Sequence, residues 1–372
     1  MKKKILFVVN DIDFFISHRL EIANKMISLN FDVSVVGNEK KKNYFDQKIS
    51  KKINFYSIKL NRSSFGLVNN FLTLLKLFFI LKKIKPDIVH YITLKPIFFG
   101  LFINIFYRAK KIIFSISGLD LIFSYNRTLK KNLISFFISF ILKILIFLNH
   151  RVTFIVQNER DKNYIRKLNK KTYIYLIKGS GVDIDKFYPS NSVNNKIRIL
   201  MASRIIKEKG VFEYLFSANQ FKGKKDIEFI LCGKIDQNNS SYISKKDITN
   251  LSKINNVSYI GEIQNMFEEI YKSSICILPS YYGEGVPKFL LEAASSGKAI
   301  ITTKIPGCED TIIEGYNGIL IPPQNVKALT NAIKDLIDNK DLLKKMSLNS
   351  RKFAIKNFDV KEVVEKHINI YI

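Results

Sequence analysis

Short apolar, β-branched runs recur along the chain and alternate with stretches whose apolar residues return at helical spacing. ILFVV at 5–9, DVSVVG at 32–37, DIVHYI at 87–92, KIIFSI at 111–116 and VTFIV at 152–156 are continuously apolar, as strands covered on both faces are. Helical spacing follows the first of them over 18–30. The alternation restarts near residue 196, with strands predicted at IRILMAS and at 227–233, 257–261, 275–280 and 299–303, and helices at 210–220, 263–273, 287–296 and 325–338. Between the two series lies FYPSNSVNN at 187–195, a polar Pro/Ser/Asn stretch with the composition of a linker. The pattern predicts an α/β protein of two doubly wound parallel sheets, with a ligand cleft at the carboxyl ends of strands between the lobes.

The length of 372 residues suits two such domains. MKKKILFVVND starts basic but reaches Asn10 and Asp11 after a short apolar run, so residues 4–9 are read as a buried first strand rather than a signal peptide. Cys232, Cys276 and Cys308 are widely spaced and form no C-x-x-C pair, which argues against a disulfide framework or structural zinc and fits a reducing compartment.

Charge adds a second layer. The formal net charge is +28. Abundant Lys, Ile and Asn reflect a compositional drift that raises charge without function, but the charge is unevenly placed. Residues 1–190 hold 34 Lys/Arg against 12 Asp/Glu, net +22, whereas residues 191–372 hold 26 against 20, net +6. The asymmetry points to an anionic partner on the first half, nucleic acid or anionic lipid. No helix-turn-helix, zinc-finger or RNA-binding signature supports nucleic acid.

Two segments of the basic half depart from ordinary amphipathicity. FLTLLKLFFILKKIK at 71–85 mixes apolar residues with lysines, and LISFFISFILKILIFL at 133–148 is almost wholly apolar, with Lys143 inside it and Lys130 and Lys131 before it. The second reads as a buried core helix, as a helix lying in a membrane interface, or as a short transmembrane helix. Its place in the basic half favours membrane contact.

The densest chemical pattern is YYGEGVPKFLLEAASSGKAIITTKIPGCEDTIIEGYNGILIPP at 281–323. Gly283 and Gly285 permit tight turns, Pro287 suits the first position of a helix, and a helix start offers unpaired N–H groups and the positive dipole end. A diphosphate is the natural ligand of such a terminus. Glu284 precedes the helix and Glu292 lies about two turns in, so only one carboxylate is near the phosphate end and ribose hydroxyls suit the other. MASRIIKEKG at 201–210 ends a strand and brings Arg204 and Lys209, which can neutralise a diphosphate, Arg as a planar fork and Lys as a point charge; Lys207 is read as a solvated surface lysine. In GSGVDIDKF at 179–187, Gly181 makes a turn, and Asp183 is a helix cap or a ligand.

Glu284, seven intervening residues and Glu292, in the context EGVPKFLLEA, resemble the E-x7-E signature of the GT-B retaining glycosyltransferases of family 4, and 295–312 and 316–323 resemble the family's later blocks. The resemblance implies Rossmann-like lobes, an acceptor-binding, membrane-facing lobe at 1–190, a nucleotide-sugar lobe at 191–355, and a helix at 356–372 returning to the first lobe. It implies that Arg204 and Lys209 grip the nucleotide diphosphate of a donor, UDP-linked by preference. Glu284 then orients the donor sugar and Glu292 holds the ribose, with Gly285, Val286, Pro287, Lys288 and Gly181 completing the donor site. Glu284, Arg204 and Lys209 are the catalytic assignments. No cofactor and no metal are implied, and the pair Asp11 and Asp13 is a weak D-x-D.

NDIDFFISHRLEIA at 10–23 lacks the glycine-rich loop of many members and resembles a subgroup adding N-acetylhexosamines to polyprenyl-diphosphate-linked glycans, through Phe15, His18 and Arg19. HYITLKPIFFG matches it through His90, Thr93, Lys95 and Pro96; His18, Arg19, His90 and Lys95 are therefore the expected acceptor-binding residues. FSISGLDLIF at 114–123 falls where some relatives place a histidine and has none. The expected setting is the cytoplasmic face of a bacterial membrane, held peripherally by anionic lipid, with no nucleic-acid partner. A nucleotide-sugar epimerase of similar fold and a non-enzymatic basic binding protein are the alternatives.

Overall fold

The computed structural model describes residues 2–38, 52–60, 67–119, 129–149, 152–189, 196–237, 239–283 and 285–372. The chain divides into two units, one of Met1–Ser180 with Glu362–Ile372, the other of Gly181–Lys361.

The first unit is built on seven parallel strands, β1 (Lys4–Asp11), β2 (Asp32–Asn38), β3 (Ile53–Ser57), β4 (Ile88–Ile92), β5 (Lys111–Ile116), β6 (Val152–Val156) and β7 (Tyr173–Leu176), in the order β3-β2-β1-β4-β5-β6-β7. Helices α1 (Ile12–His18) and α2 (Leu20–Ser28) follow β1. Further along come α3 (Leu67–Ile84), α4 (Leu94–Ile103), α5 (Leu129–Leu148) and α6 (Glu159–Leu168). The steps from β3 to β7 all run in one direction, so right-handed crossovers stack α3 to α6 on one face of the sheet. Leu6, Val8, Val89, Tyr91, Phe114 and Phe154 point into that layer and pack with Leu77, Leu81, Leu101, Leu142 and Ile146. Phe7 and His90 alternate to the opposite face, where Phe7 meets Phe15 of α1 and Tyr371.

The second unit has six parallel strands, β8 (Ile197–Ala202), β9 (Ile227–Cys232), β10 (Val257–Gly261), β11 (Ile275–Leu278), β12 (Ala299–Thr303) and β13 (Gly318–Ile321), in the order β10-β9-β8-β11-β12-β13. Its helices are α7 (Val211–Asn219), α8 (Lys245–Ile254), α9 (Met266–Tyr271), α10 (Lys288–Ser295), α11 (Val326–Asp338) and α12 (Lys340–Phe358), and α13 (Val360–Tyr371) leads from this unit into the first. The asparagine-rich composition is put to local use: Asn158, Asn325 and Asn339 cap α6, α11 and α12 by accepting backbone N–H groups at 2.8–2.9 Å, each worth about 1 kcal/mol.

Every strand run and helical stretch read from the pattern has its counterpart, with one substantive change. The helix predicted over 18–30 is α2, which starts at Leu20, and a separate helix α1 that the pattern did not give precedes it, parted from it by the non-helical backbone of Arg19 (φ −134°, ψ −6°). Each sheet also has one point where the strand order reverses, β1/β4 in the first and β8/β11 in the second. Open α/β sheets bind ligands outside the carboxyl ends of strands at such points.

Candidate active site

At the β8/β11 reversal the turn after β8 is tied to the loop after β11. The carbonyl of Glu208 accepts the Tyr281 N–H at 2.9 Å and the Ser280 hydroxyl at 3.2 Å, and the Ser280 carbonyl accepts the Thr303 hydroxyl. Gly210, at φ 78°, starts α7 directly against this loop; a Cβ there would lie 2.2 Å from the Pro279 carbonyl oxygen. Only glycine meets both conditions, the left-handed backbone and the close approach.

The lacing brings Arg204 and Lys209 to one ring. The Arg204 guanidinium carbon lies 5.6 Å and Lys209 Nζ 5.3 Å from the centroid of Tyr282, within cation–π range. Asp236 holds Arg204 by an ion pair of 2.9 Å, and Lys209 is buried. Two cations thus lie against one aromatic ring, charges of the kind that a diphosphate pairs with. Lys207 is exposed.

Across the loop, Gly285 and Val286 are buried, and Pro287 occupies the N-cap of α10 rather than its first helical position, with extended backbone and no side-chain capping bond. The first-turn N–H groups of a helix have no partner within the helix, and the dipole end is positive. Glu292 projects from the second turn, almost fully buried, with Lys288 Nζ 3.7 Å away. Burial pushes its carboxyl up to about 7, against the opposing pull of Lys288 and Lys186. Glu284 lies outside the described residues. Gly181, at φ 74°, packs against Val360, whose Cα a Cβ would meet at 2.7 Å. The Asp183 carboxylate accepts the N–H groups of Asp185 and Lys186, both at 3.0 Å, as a cap does.

At the β1/β4 reversal, the Asn10 amide donates to the Thr93 hydroxyl at 2.7 Å, both side chains buried. Thr93 has φ 73° and ψ 162°, a region that β-branched residues rarely enter, at a cost of about 1–3 kcal/mol. This turn launches α4 and places Lys95 in its first turn, Nζ 5.8 Å from the Phe99 ring, with partial burial lowering its pKa. His18 ends α1, stacked on Phe14 at 4.1 Å with Nδ1 2.6 Å from the Ser17 hydroxyl. Asp11 caps α1 by accepting the Asp13 N–H.

Arg19 and His90 are internal. Arg19, 2 % exposed, donates to the His18 carbonyl at 2.9 Å, and burial lowers its pKa to about 10. His90 is fully buried between the hydroxyls of Ser115 (2.5 Å from Nε2) and Tyr371 (2.7 Å from Nδ1). His367 of α13 lies beside it, ring centroids 6.4 Å apart. Desolvation and the Arg19 charge hold both histidines neutral, His367 at about 3 and His90 well below its ordinary value. Of the four side chains read from sequence on this lobe, His18 and Lys95 reach the surface while Arg19 and His90 support the turns from within. Asn10, Tyr282 and Asp236 belong to these clusters without any motif marking them; only the strand order, which brings distant loops together, identifies them.

Two parallel sheets, each with helices beside it and a single reversal of strand order, define the class of the fold as doubly wound α/β, two Rossmann-like units in one chain. The glycosyl transferase 4-like family model matches residues 4–155, and the glycosyl transferases group 1 model matches residues 183–353. Together they account for both units, and the chain belongs to the GT-B glycosyltransferases that these models describe. It is 27% identical over 323 residues to the N,N'-diacetylbacillosaminyl-diphospho-undecaprenol alpha-1,3-N-acetylgalactosaminyltransferase of Campylobacter jejuni, covering 82% of this chain and 81% of that one. It is 25% identical over 325 residues to the UDP-Gal:alpha-D-GlcNAc-diphosphoundecaprenol alpha-1,3-galactosyltransferase of Escherichia coli, covering 82% and 80%. The fold matches sucrose-phosphate synthase from Thermosynechococcus elongatus with a TM-score of 0.83 at 17% identity, over 100% of this chain and 98% of that one.

Proposed function

We propose that this glycosyltransferase moves an N-acetylhexosamine from a UDP-sugar to a polyprenyl-diphosphate-linked glycan during assembly of a bacterial surface polysaccharide. Transfer retains the anomeric configuration, needs no metal, and takes place at the cytoplasmic face of the membrane. The observation that carries this reading is the convergence of Arg204 and Lys209 on Tyr282 beside the start of α10. That arrangement supplies, from the chain itself, the positive charge that a departing nucleotide diphosphate requires. The named substrates of the Campylobacter and Escherichia relatives support the acceptor class and a UDP donor.

In the reaction, the bond from the sugar C1 to the diphosphate oxygen breaks, and the nucleotide leaves with the electron pair. The acceptor hydroxyl oxygen bonds to C1 on the same face, and its proton passes to the leaving phosphate. No protein nucleophile is needed, unlike the paired-carboxylate glycosidases. Arg204, Lys209 and the backbone from Gly285 to Lys288 hold the diphosphate, Glu284 orients the sugar, and Glu292 accepts from the ribose hydroxyls. On the first unit His18 and Lys95 meet the acceptor diphosphate, positioned by Arg19 and His90.

The test is turnover of a panel of UDP- and GDP-sugars by purified protein, with and without a polyprenyl-diphosphate glycan and with and without chelator. Transfer from a UDP-N-acetylhexosamine, only with acceptor and unchanged by chelator, is expected. Conversion of the sugar without acceptor would instead mark an epimerase.

A further inference from the structure

The helices over the first sheet are apolar on both sides: Leu77, Leu81, Leu142 and Ile146 face the core, and a second apolar set faces outward. In α5, Leu133, Phe136, Phe137, Phe140, Ile141 and Ile144 are exposed, whereas Ser135 and Ser139 lie on the inward side, Ser139 accepting the Tyr164 hydroxyl at 2.6 Å. In α3, Phe71, Leu72 and Phe79 are exposed, while Thr73 is buried and donates to the Asn69 carbonyl at 2.7 Å. A helix that faces water carries its serines and threonines outward and its phenylalanines inward. Here the polar groups are satisfied within the protein and the rings are presented to the exterior. Phe102 of α4 and Phe106 just beyond it continue the surface between the two, since α4 packs against both α3 and α5. So large an apolar patch marks an interaction site.

Charge selects the partner. Asp87 and Asp120 are the only acidic residues from Lys59 to Asn158, a stretch with fifteen Lys and Arg. Among the described ones, Lys76, Lys82, Lys83, Arg108 and Lys143 are exposed on or beside the same helices. Phenylalanines ringed by cations without interspersed carboxylates match a bilayer interface, where rings enter the acyl boundary and ammonium groups meet phosphates. A second copy of this surface would set cation against cation, which disfavours self-association, whereas a bilayer supplies both the phosphates and the acyl boundary that the mixed surface fits. No helix among the described residues is long and apolar enough to cross a membrane, so the contact is lateral.

We propose that the outer faces of α3, α4 and α5 form one docking surface for an anionic bilayer leaflet, with Phe136, Phe137 and Phe140 as its central wedge and Lys76, Lys82, Lys83 and Lys143 as its headgroup contacts. This rests on the reading that the acceptor is carried in a membrane, and gives that reading its place on the chain.

The absence of tryptophan from the chain gives a direct test. Phe140→Trp introduces a single emitter on the wedge, and Phe216→Trp introduces one on the exposed face of α7 in the other unit. With phosphatidylglycerol vesicles carrying brominated acyl chains, the emission of Phe140→Trp is expected to shift blue and be quenched, and that of Phe216→Trp to stay unchanged. In flotation with the same lipids, the triple change Phe136→Glu, Phe137→Glu, Phe140→Glu should weaken partitioning by about tenfold or more, and phosphatidylcholine alone should bind less than the anionic mixture. Unquenched Phe140→Trp, triple-variant flotation equal to wild type, or a dimer that the triple change dissolves would overturn the proposal. Transfer to a short-chain, water-soluble prenyl-diphosphate acceptor separates the two ideas. Triple-variant activity equal to wild type on that substrate leaves the transferase reading standing whatever the vesicles show, and inactivity of the wild-type protein counts against the transferase reading alone.

Discussion

Tyr371 hydrogen-bonds at 2.7 Å to Nδ1 of His90, joining the last helix to a central strand of the first sheet. The other ring nitrogen faces Ser115, so each nitrogen of the neutral imidazole has a partner, one as donor and one as acceptor. Tyr371→Phe leaves one nitrogen buried and unpartnered, at a cost of about 1–3 kcal/mol. The expected result is a lower urea midpoint, with faster amide exchange in β4 and α13. An unchanged midpoint would show that the pair contributes nothing to docking of α13.

The same cluster makes the first unit sensitive to acid. His90 and His367 have folded-state pKa values lowered by desolvation and by Arg19, His367 to about 3. Unfolded histidine titrates near 6.5, so between these values the unfolded chain binds more protons than the folded one. Stability is therefore present above about 6.5 and is lost as pH falls, by up to about 1.4 kcal/mol per pH unit for each histidine. Replacing His367 with Phe should flatten the slope of unfolding free energy against pH between 6 and 4. An equal slope in the variant would place the acid sensitivity elsewhere.

Much of this was legible in the sequence, and the gaps have a common origin. Continuous apolar runs located the strands because burial on both faces leaves a local signature, and the glycine and proline punctuation of 281–287 located the helix start. The direction in which 133–148 faces was not legible. Its apolar residues suit a core and a bilayer equally, and only tertiary packing, with Leu142 and Ile146 buried and Ser139 bonded to Tyr164, shows which side is inward. His90 offered the same difficulty: its place in the HYITLKP segment suited a ligand site, but Tyr371, which encloses it, is 281 residues away in the chain. Nor did any local pattern give α1 or the break at Arg19, whose side chain is buried in the interior.

At the proposed donor site, Lys209→Met should lower the transfer rate by about 10²–10³-fold, the range for removing one group that stabilises a developing charge. Tyr282→Phe keeps the ring and should be nearly silent, whereas Tyr282→Ala removes the ring that both cations lie against and should raise the Kd for UDP-sugar as well as lower kcat. Steady-state transfer and calorimetric binding distinguish the three. Equal effects of Tyr282→Phe and Tyr282→Ala would mean that the hydroxyl, not the ring face, matters.

Gly210→Ala tests the lacing beneath those residues. The added Cβ meets the Pro279 carbonyl oxygen at 2.2 Å in a left-handed backbone, so both the turn and the loop after β11 have to move. A loss of more than about 1 kcal/mol in stability is expected, accompanied by weaker donor binding. A fully stable variant with normal binding would show that the loop yields without cost to the site.

If Glu292 holds the donor ribose as proposed, it sets stability and donor binding against each other. Its folded-state pKa is raised to about 7 by burial, so the folded chain holds the proton more tightly than the unfolded one, whose carboxyl titrates near 4.3. The sign is opposite to that of the histidines: this unit is most stable below the unfolded value and loses stability as pH rises toward 7. In the proposed function, hydroxyl donors from a ribose favour the ionised carboxylate, so binding demands the form that burial disfavours. The Kd for UDP-sugar should therefore weaken as pH falls below about 7, approaching tenfold per unit. Glu292→Gln removes the titrating group. It should be more stable than wild type at pH 8, bind donor more weakly there, and show no such dependence on pH. A variant whose Kd still tracked pH through 7 would show that another group governs donor affinity and would take the ribose away from Glu292.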